Sequence, residues 1–159
     1  MDGIRKFQES DIGPLQRLIH DTIDISYAEV YPPRAVEFFK EFHAEDKILA
    51  RSRAGTILVV EEDGELVGTG SIVDGEIFAV FVHPKCQSGG RGKALMQRLE
   101  DQARAEGVVE SELSVSLPSL KFYQRLGYEI VEERSRDLGE GQRLDFWAAK
   151  KTLTPTQPG

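Results

Sequence analysis

The stretch that decides the fold runs from residue 80 to residue 95 and reads Val-Phe-Val-His-Pro-Lys-Cys-Gln-Ser-Gly-Gly-Arg-Gly-Lys-Ala-Leu. Its apolar start predicts a buried strand, which enters a glycine-rich loop that opens a helix. Gly89, Gly90 and Gly92 let the backbone approach a ligand closely and turn several amide N–H groups toward one point. The helix N-terminus adds a partial positive charge, and Arg91 and Lys93 add full ones. The stretch therefore predicts a binding site for a phosphate or diphosphate group.

Two common phosphate-binding motifs do not fit this loop. A Walker A loop requires a glycine five residues before the Gly-Lys pair and a serine or threonine after it, but Gln87 and Ala94 occupy these positions. The dinucleotide fingerprint Gly-x-Gly-x-x-Gly would place its third glycine at Leu95 or, from an earlier start, at Val73. Both motifs are therefore disfavoured.

The chain before the loop changes from a helical period to a strand period. Residues 3–7 predict a short strand, and Asp11 can cap a helix whose apolar residues recur at helical spacing. A second helical pattern begins at Pro33 and continues to about Leu49. Beyond Gly55 the pattern predicts three consecutive strands joined by Asp-Gly turns, over residues 56–61, 65–73 and 76–82.

The chain after the loop alternates helices and strands. Helices are predicted over residues 92–106 and 118–126, and strands over residues 108–115, 128–133 and 144–149. Hairpins mixed with strand–helix–strand crossovers predict an α/β (α+β) fold in three layers, with a central mixed sheet and helices on both faces. We expect one domain over residues 1–151 and a flexible C-terminal tail over residues 152–159.

Composition narrows the range of functions. Hydrophobic residues form 40% of the 159 residues and charged residues 30%, as in a globular domain rather than a disordered or membrane-spanning chain. A formal charge of -7 offers no basic surface to a nucleic acid or an anionic membrane. The single cysteine, Cys86, favours a reducing, cytoplasmic location, and no signal peptide is expected. The histidines (His20, His43 and His83) are too scattered for a metal site, so no metal is expected.

Two spaced motifs resemble those of the GNAT N-acetyltransferase superfamily. Residues 87–92, Gln-Ser-Gly-Gly-Arg-Gly, resemble the family's Q/R-x-x-G-x-G/A motif, and Val82-His83-Pro84 precedes them at the usual distance. Residues 121–128, Lys-Phe-Tyr-Gln-Arg-Leu-Gly-Tyr, resemble its F-Y-x-x-x-G-[FY] element. The predicted element order also matches the family plan, so the resemblance covers nearly the whole chain and implies a GNAT-like fold.

The resemblance implies that the chain binds acetyl-CoA or another short acyl-CoA as a co-substrate. In the family, backbone groups at the end of the central strand pair with the pantetheine arm, and amides of the loop hold the pyrophosphate. The positions so assigned here are Phe81, Val82, Gln87, Ser88, Gly89, Gly90, Arg91, Gly92, Lys93, Ser116, Ser119 and Phe122. Ser116 and Ser119 depart from the family pattern, because many members carry asparagine and alanine there.

Acyl transfer to an amine needs a neutral nucleophile and an acid for the departing thiolate. By resemblance Tyr123 is that acid, and the alternative is an aromatic residue that packs on the last strand. Glu76 is a candidate base, and the alternative is a solvated carboxylate beside a turn. A period of two places Glu76 on the face of Phe78, Val80 and Val82 unless a bulge interrupts the strand.

The acceptor pocket is expected between the first two helices, because the family builds it there. Tyr27 and Tyr31 lie in this segment and are candidate substrate-binding residues. Phe38, Phe39 and Phe42 recur at helical spacing and are expected to pack in the core.

These features predict an enzyme that moves an acetyl group from acetyl-CoA to a primary amine by direct attack in a ternary complex. The acceptor stays open among polyamines, amino acids, antibiotics, peptide N-termini and lysine side chains. One alternative is a catalytically inactive acyl-CoA-binding sensor or regulatory module, and another is a nucleotide-binding regulatory domain. Closing strands pair across dimers in relatives, so a homodimer is an open expectation.

Overall fold

The computed structural model describes residues 3–154. Its α-helices are α1 (Ile12–Thr22), α2 (Pro33–Phe42), α3 (Glu45–Ala54), α4 (Arg91–Ala105) and α5 (Leu120–Arg125). Its strands are β1 (Ile4–Lys6), β2 (Thr56–Glu62), β3 (Glu65–Val73), β4 (Glu76–Val82), β5 (Glu110–Ser116), β6 (Glu129–Asp137) and β7 (Arg143–Thr152). A π-helical turn, Ile23–Tyr27, extends α1. The predicted α/β class is confirmed, and the element order agrees except that three α-helices rather than two precede β2.

The strands form two antiparallel sheets rather than one continuous mixed sheet. The first has the order β1-β2-β3-β4 and the second the order β5-β7-β6. β4 and β5 lie side by side, as their connection through α4 leads one to expect. Within residues 3–154 no ladder joins them. The two sheets therefore open a gap between β4 and β5.

A bulge in β4 explains this gap. Ser71 lies opposite Phe78 and Thr69 opposite Phe81, so Gly70 alone faces two residues of β4. One of those two, Ala79, has a φ of 55°. A bulge bends its strand and increases the local twist, which turns β4 away from β5.

The bulge also corrects the expected face of Glu76. Ile77, Val80 and Val82 pack toward the core under α4, whereas Ala79 and Phe81 pack toward the core under α1. Glu76 shares a face with Phe78, as predicted, but the extra residue at the bulge puts Val80 and Val82 on the other face. The bulge is the exception that the prediction allowed for, so Glu76 does not share a face with these two valines.

Strand β2 alternates between these two hydrophobic cores. Leu58 and Val60 face the core under α4, and Ile57 and Val59 face the core under α1. The helices fill the cores with fully buried side chains, which are Leu95, Met96 and Leu99 on α4 and Leu15 and Ile19 on α1. Each such side chain contributes roughly 1.5–3 kcal/mol of burial free energy. Helices therefore cover both faces of the sheet, as predicted.

The predicted helix from Pro33 to Leu49 is two helices. It breaks at His43, which has φ −113° and ψ 36°, and Ala44 is extended. His43 is buried, and its backbone carbonyl oxygen lies 3.2 Å from Nε2 of His20. The contacts of His43 with α1 therefore end the helix, which the local sequence does not signal.

The last two strands are longer than their hydrophobic pattern predicts. β6 continues to Asp137 and β7 to Thr152, although residues 132–137 are all polar. Leu153 is buried, and its amide donates a 2.8 Å hydrogen bond to the carbonyl of Val109. Of the predicted tail, residues 155–159 lie outside the described residues.

The predicted cytoplasmic location and the homodimer stay predictions. In residues 3–154 no helix combines the length and apolar character that crossing a bilayer requires. The same residues contain no group of three or more His, Cys, Asp or Glu side chains placed to hold a metal ion.

Candidate active site

The loop before α4 presents a row of free amides. The first hydrogen bond at this end of the helix joins the amide of Ala94 to the carbonyl of Gly90 at 3.0 Å. Among the described residues, the amides of residues 87–93 have no hydrogen-bond partner. Gly90 has a φ of 81° and Ser88 a φ of 76°, and these left-handed conformations turn the loop sharply. The helix N-terminus is therefore open to an anion.

The Arg91 side chain braces the loop. Its guanidinium donates two hydrogen bonds to Glu62, at 2.7 and 2.8 Å, and one to the carbonyl of Cys86, at 2.8 Å. The ion pair raises the pKa of Arg91 and lowers that of Glu62. Positive character at this end comes instead from the amides and from Lys93, which is exposed and has no ion-pair partner in the described chain.

Phe122 connects this loop to the cleft between the two sheets. Its ring packs over Gly92 so closely that a Cβ on Gly92 would lie 2.8 Å from Cε1 of the ring. The same Cβ would lie 3.6 Å from a methyl group of Val82. On its other side, the centroid of the Phe122 ring lies 5.0 Å from that of Tyr123. The helix N-terminus and Tyr123 are thus linked through one side chain.

A cleft of about 960 Å³ lies where the two sheets separate. Six of the predicted site residues line it: Tyr27, Glu76, Phe81, Ser116, Ser119 and Tyr123. The other predicted residues lie outside the lining: Tyr31, Val82, Phe122 and the loop of residues 87–93. The structure therefore brings the two candidate catalytic residues into one cavity.

Tyr123 is 7% exposed and lines the cleft. Its hydroxyl has no hydrogen-bond partner among residues 3–154. Burial raises the pKa of Tyr123 well above the usual value, and nearby Tyr27 and Tyr128 add to the shift. The hydroxyl is therefore protonated at physiological pH and free to donate to a ligand.

Glu76 lines the cleft. It begins β4, faces Val73 across the hairpin, and its side chain is exposed. No hydrogen bond or ion pair holds its carboxylate within the described chain. It is therefore positioned to accept a proton, directly or through water.

Three hydroxyl groups form a chain across the cleft. The hydroxyl oxygen of Tyr27 lies 2.9 Å from Oγ of Ser116, which lies 2.8 Å from Oγ of Ser119. Burial raises the pKa of Tyr27, although its hydrogen bond to Ser116 opposes the shift. The chain joins the π-helical turn after α1 to the end of β5.

Tyr31 lies behind the cleft. Its hydroxyl donates a 2.8 Å hydrogen bond to the carbonyl of Asp145 and accepts a 2.9 Å one from the amide of Leu117. Burial raises the pKa of Tyr31 to about 12. With both partners in the backbone, this hydroxyl holds β7 against the segment after β5.

Comparison with known proteins identifies the family. The model of the acetyltransferase (GNAT) family matches residues 18–128. The chain belongs to this family. Its GNAT relatives include peptidyl-lysine N-acetyltransferase YiaC of Escherichia coli, 41% identical over 75 residues, which cover 46% of this chain and 50% of that protein. They also include L-amino acid N-acyltransferase MnaT of the same organism, 35% identical over 97 residues, which cover 53% and 56%. The chain spans about half the length of these two relatives.

Solved GNAT structures share the fold over nearly the full chain. A GCN5-related N-acetyltransferase from Rhodopseudomonas palustris superposes with a TM-score of 0.86 at 22% identity, covering 96% of both chains. The PaiA N-acetyltransferase of Thermoplasma acidophilum, solved in complex with coenzyme A, superposes with a TM-score of 0.75 at 21% identity, covering 94% of this chain and 97% of that one. The GNAT fold predicted from the sequence is therefore confirmed.

Two groups of cleft residues in this GNAT domain escape sequence analysis. Phe38, Phe39 and Phe42 line the cleft rather than only packing in the core, and Phe42 is 45% exposed. Their spacing shows that they share a helix face but not what covers it. Residues 132–136 of β6 also line the cleft. This part of the strand has no apolar residues to mark it in the sequence, and only its pairing with β7 in the structure reveals it.

Gly92→Ala should lower the free energy of unfolding by about 1 kcal/mol or more, because the new methyl group displaces the Phe122 ring. Gly13→Ala is the matched control, since both glycines are the second residue of an α-helix. Only a guanidinium nitrogen 3.7 Å away approaches a Cβ at Gly13. Pro14 disfavours a helical alanine before it, which offsets the gain from replacing a glycine, so the control should change the stability by less than Gly92→Ala does. Urea unfolding measures both, and equal effects of the two substitutions would show that Phe122 does not press on Gly92.

Proposed function

We propose that this chain is an acetyl-CoA-dependent N-acetyltransferase that acetylates a primary amine in a ternary complex. One observation carries the proposal. The free amides at the start of α4 are connected through Phe122 to a cleft that contains the Tyr123 hydroxyl, and this hydroxyl has no partner within residues 3–154. Membership of the GNAT family supports the same reaction. The names of YiaC and MnaT agree on an amine acceptor but differ on which amine, a peptidyl lysine or an amino acid.

The loop and the open strand edge fit the CoA part of this co-substrate. The amides of residues 87–93 have no partners within residues 3–154, and these seven groups form a cradle for a pyrophosphate at a helix N-terminus. The edge of β4 that faces β5 carries no ladder, so backbone groups of Phe81 and Val82 can pair with an extended amide-containing arm. The carbonyl of Val82 accepts a 3.0 Å hydrogen bond from the side chain of Gln87, which such an arm would replace. When bound, acetyl-CoA supplies the acetyl thioester.

The side chains of Ser116, Ser119 and Phe122 are proposed to border the same arm. The two serines line the cleft, and Phe122 lies between the cleft and the loop. The path from the loop to Tyr123 is therefore continuous.

Tyr123 is proposed to protonate the departing sulfur. Its burial raises the pKa of the phenol, so the proton is present on the hydroxyl at neutral pH. Its hydroxyl is committed to no partner in the described chain and lies in the cleft. A residue that only packed in the core would have no need of this hydroxyl.

Glu76 is proposed to take the proton of the acceptor amine. The amine must lose its positive charge before it can attack, and an exposed carboxylate in the cleft can receive that proton through water. Tyr27 borders the acceptor half of the cleft, and Tyr31 supports it from behind through its two backbone hydrogen bonds.

Acetyl-CoA and CoA should each raise the melting temperature, whereas ATP and NAD should not. A ligand at about 100 times its dissociation constant stabilises a fold by roughly 2.7 kcal/mol, which a thermal-shift titration detects. Stabilisation by ATP or NAD alone would favour a nucleotide-binding regulatory domain. Absence of any shift with acetyl-CoA and CoA would overturn the proposal.

Tyr123→Phe should lower kcat by about 100-fold with little change in acetyl-CoA affinity, because it removes the acid but keeps the ring. Tyr128→Phe is the matched control, since this neighbouring tyrosine directs its hydroxyl to Glu100 and Ser111, each at 2.9 Å. The control should lose about 1 kcal/mol of stability and keep its turnover. Release of free thiol measures the rate, and unchanged turnover in Tyr123→Phe would remove the assignment. No turnover in the wild type with any amine, despite CoA binding, would favour the sensor.

Glu76→Gln should abolish the fall of kcat/KM toward acidic pH, because a glutamine side chain has no carboxylate to protonate. The loss at neutral pH should be about 100-fold. The profile is measured with a weakly basic acceptor whose amine stays neutral throughout the pH range, so that the acid limb reports the enzyme and not the substrate. A variant that keeps the complete wild-type profile would show that Glu76 is only a solvated carboxylate.

A further inference from the structure

One side of the cleft is a wall of aromatic rings. The rings of Phe38 and Phe42 are stacked with centroids 6.4 Å apart, and the centroid of Phe42 lies 6.4 Å from that of Phe78. Phe39 continues the wall and meets the ring of Tyr27 edge-on at 4.9 Å. The half-exposed Phe42 leaves part of this surface uncovered. The wall therefore offers an apolar, ring-shaped partner a place to bind.

Two arginines, Arg51 and Arg136, pack against the rings of this aromatic wall. The guanidinium carbon of Arg51 lies 4.9 Å from the ring centroid of Phe78 and 5.5 Å from that of Phe42. Arg136 lies 4.7 Å above the ring of Phe38. Arg51 is 7% exposed and also contacts Nδ1 of His43 at 3.1 Å. Both guanidinium groups thus make cation–π contacts with the rings, and these contacts hold the rings in place before any ligand binds.

The lining of the cleft carries more negative than positive charge: it contains the carboxylates of Asp74, Glu76, Glu132 and Glu133 and the guanidinium groups of Arg134 and Arg136. Arg134 pairs with Glu132 at 3.0 Å and with Glu112 at 3.7 Å, so its charge is compensated. Asp74, Glu76 and Glu133 line the cleft, and none of them has an ion-pair partner in the described part of the chain. His43 adds no charge, because burial lowers its pKa, and Arg51 and His20 lower it further. Arg136 also has no ion-pair partner in the described chain, but its guanidinium lies over the Phe38 ring. A ligand between the sheets therefore meets an excess of carboxylates over guanidinium groups.

The buried Tyr123 hydroxyl marks the reacting end of the same cavity. It is the polar group in the cleft that is more than nine-tenths buried and has no partner within residues 3–154. An acceptor that reaches it must place its amine there and its body along the aromatic wall.

We infer that the acceptor is an amine carried on an aromatic or similarly apolar body that lacks a carboxylate. This inference rests on the proposed acetyltransferase activity and narrows its substrate class. The wall binds the apolar body, and the carboxylates attract the ammonium group before it is deprotonated. An amino acid of the same shape would bring its own carboxylate toward three others, which disfavours it.

Matched acceptors separate the contributions of charge and apolar body. Initial rates of thiol release are measured with acetyl-CoA and five acceptors: phenylethylamine, L-phenylalanine amide, L-phenylalanine, 1,5-diaminopentane and a lysine-containing peptide. Rates are compared at equal concentrations of the neutral amine. Phenylethylamine and the amide should each show a kcat/KM about tenfold or more above the values for phenylalanine and for the diamine.

Glu133→Gln tests the charge argument on the chain itself. It should reduce the preference for the amide over phenylalanine by about threefold, and added salt should reduce it in the wild type as well. Glu129→Gln is the control, because Glu129 is exposed on the same strand but does not line the cleft. The control should keep the wild-type preference.

Equal rates for phenylalanine and its amide would overturn the exclusion of carboxylates. If the diamine or the lysine peptide were acetylated faster than phenylethylamine, the role of the aromatic wall would be overturned. In either case the enzyme acetylates an amine and the proposed function stands. Failure of acetyl-CoA to bind, with no thiol released from any of the five acceptors, would instead overturn the proposed function together with this inference.

Discussion

The positive φ of Ala79 is the constraint on which the site depends. It allows two residues of β4 to face Gly70 alone, and the resulting twist turns the strand away from β5. Were β4 and β5 joined by a regular ladder, the backbone groups at the end of β4 would be satisfied by protein. Ser116 and Tyr123 would then face a closed sheet. The cleft exists because one short segment of the central strand is irregular.

The loop and the cleft present different kinds of group to a ligand. At the loop, the proposed affinity for an anion comes from backbone groups and a helix dipole, since Arg91 is bound to Glu62. In the cleft, the proposed chemistry depends on side chains, namely a buried phenol, an exposed carboxylate and a wall of rings. The first arrangement suits a ligand common to a whole family. The second depends on particular side chains and is where one family member differs from another.

The sequence alone predicts the features that are determined by residues close together in the chain. The free amides before α4 follow from three glycines and a helix start, and the Asp-Gly turns follow from their own residue types. Ala79 carries no such signature, because alanine rarely adopts a positive φ and only the register with β3 reveals the bulge. The contact of Arg51 with Phe78 joins residues far apart in the chain, so no local pattern announces it. A sequence motif predicts Tyr123, whereas the aromatic wall is visible only in the packed structure.

The Tyr31 hydroxyl has a mechanical consequence for the molecule. The two sheets share no ladder within residues 3–154, so their separation is not fixed by the regular spacing of backbone hydrogen bonds. It is fixed instead by side-chain packing, because each of the two hydrophobic cores contains residues of both sheets. The two bonds of Tyr31, to Leu117 and Asp145, tie the segment after α1 to the second sheet. The width of the cleft therefore depends on how side chains pack, and a substitution in either core that changes side-chain volume can alter it.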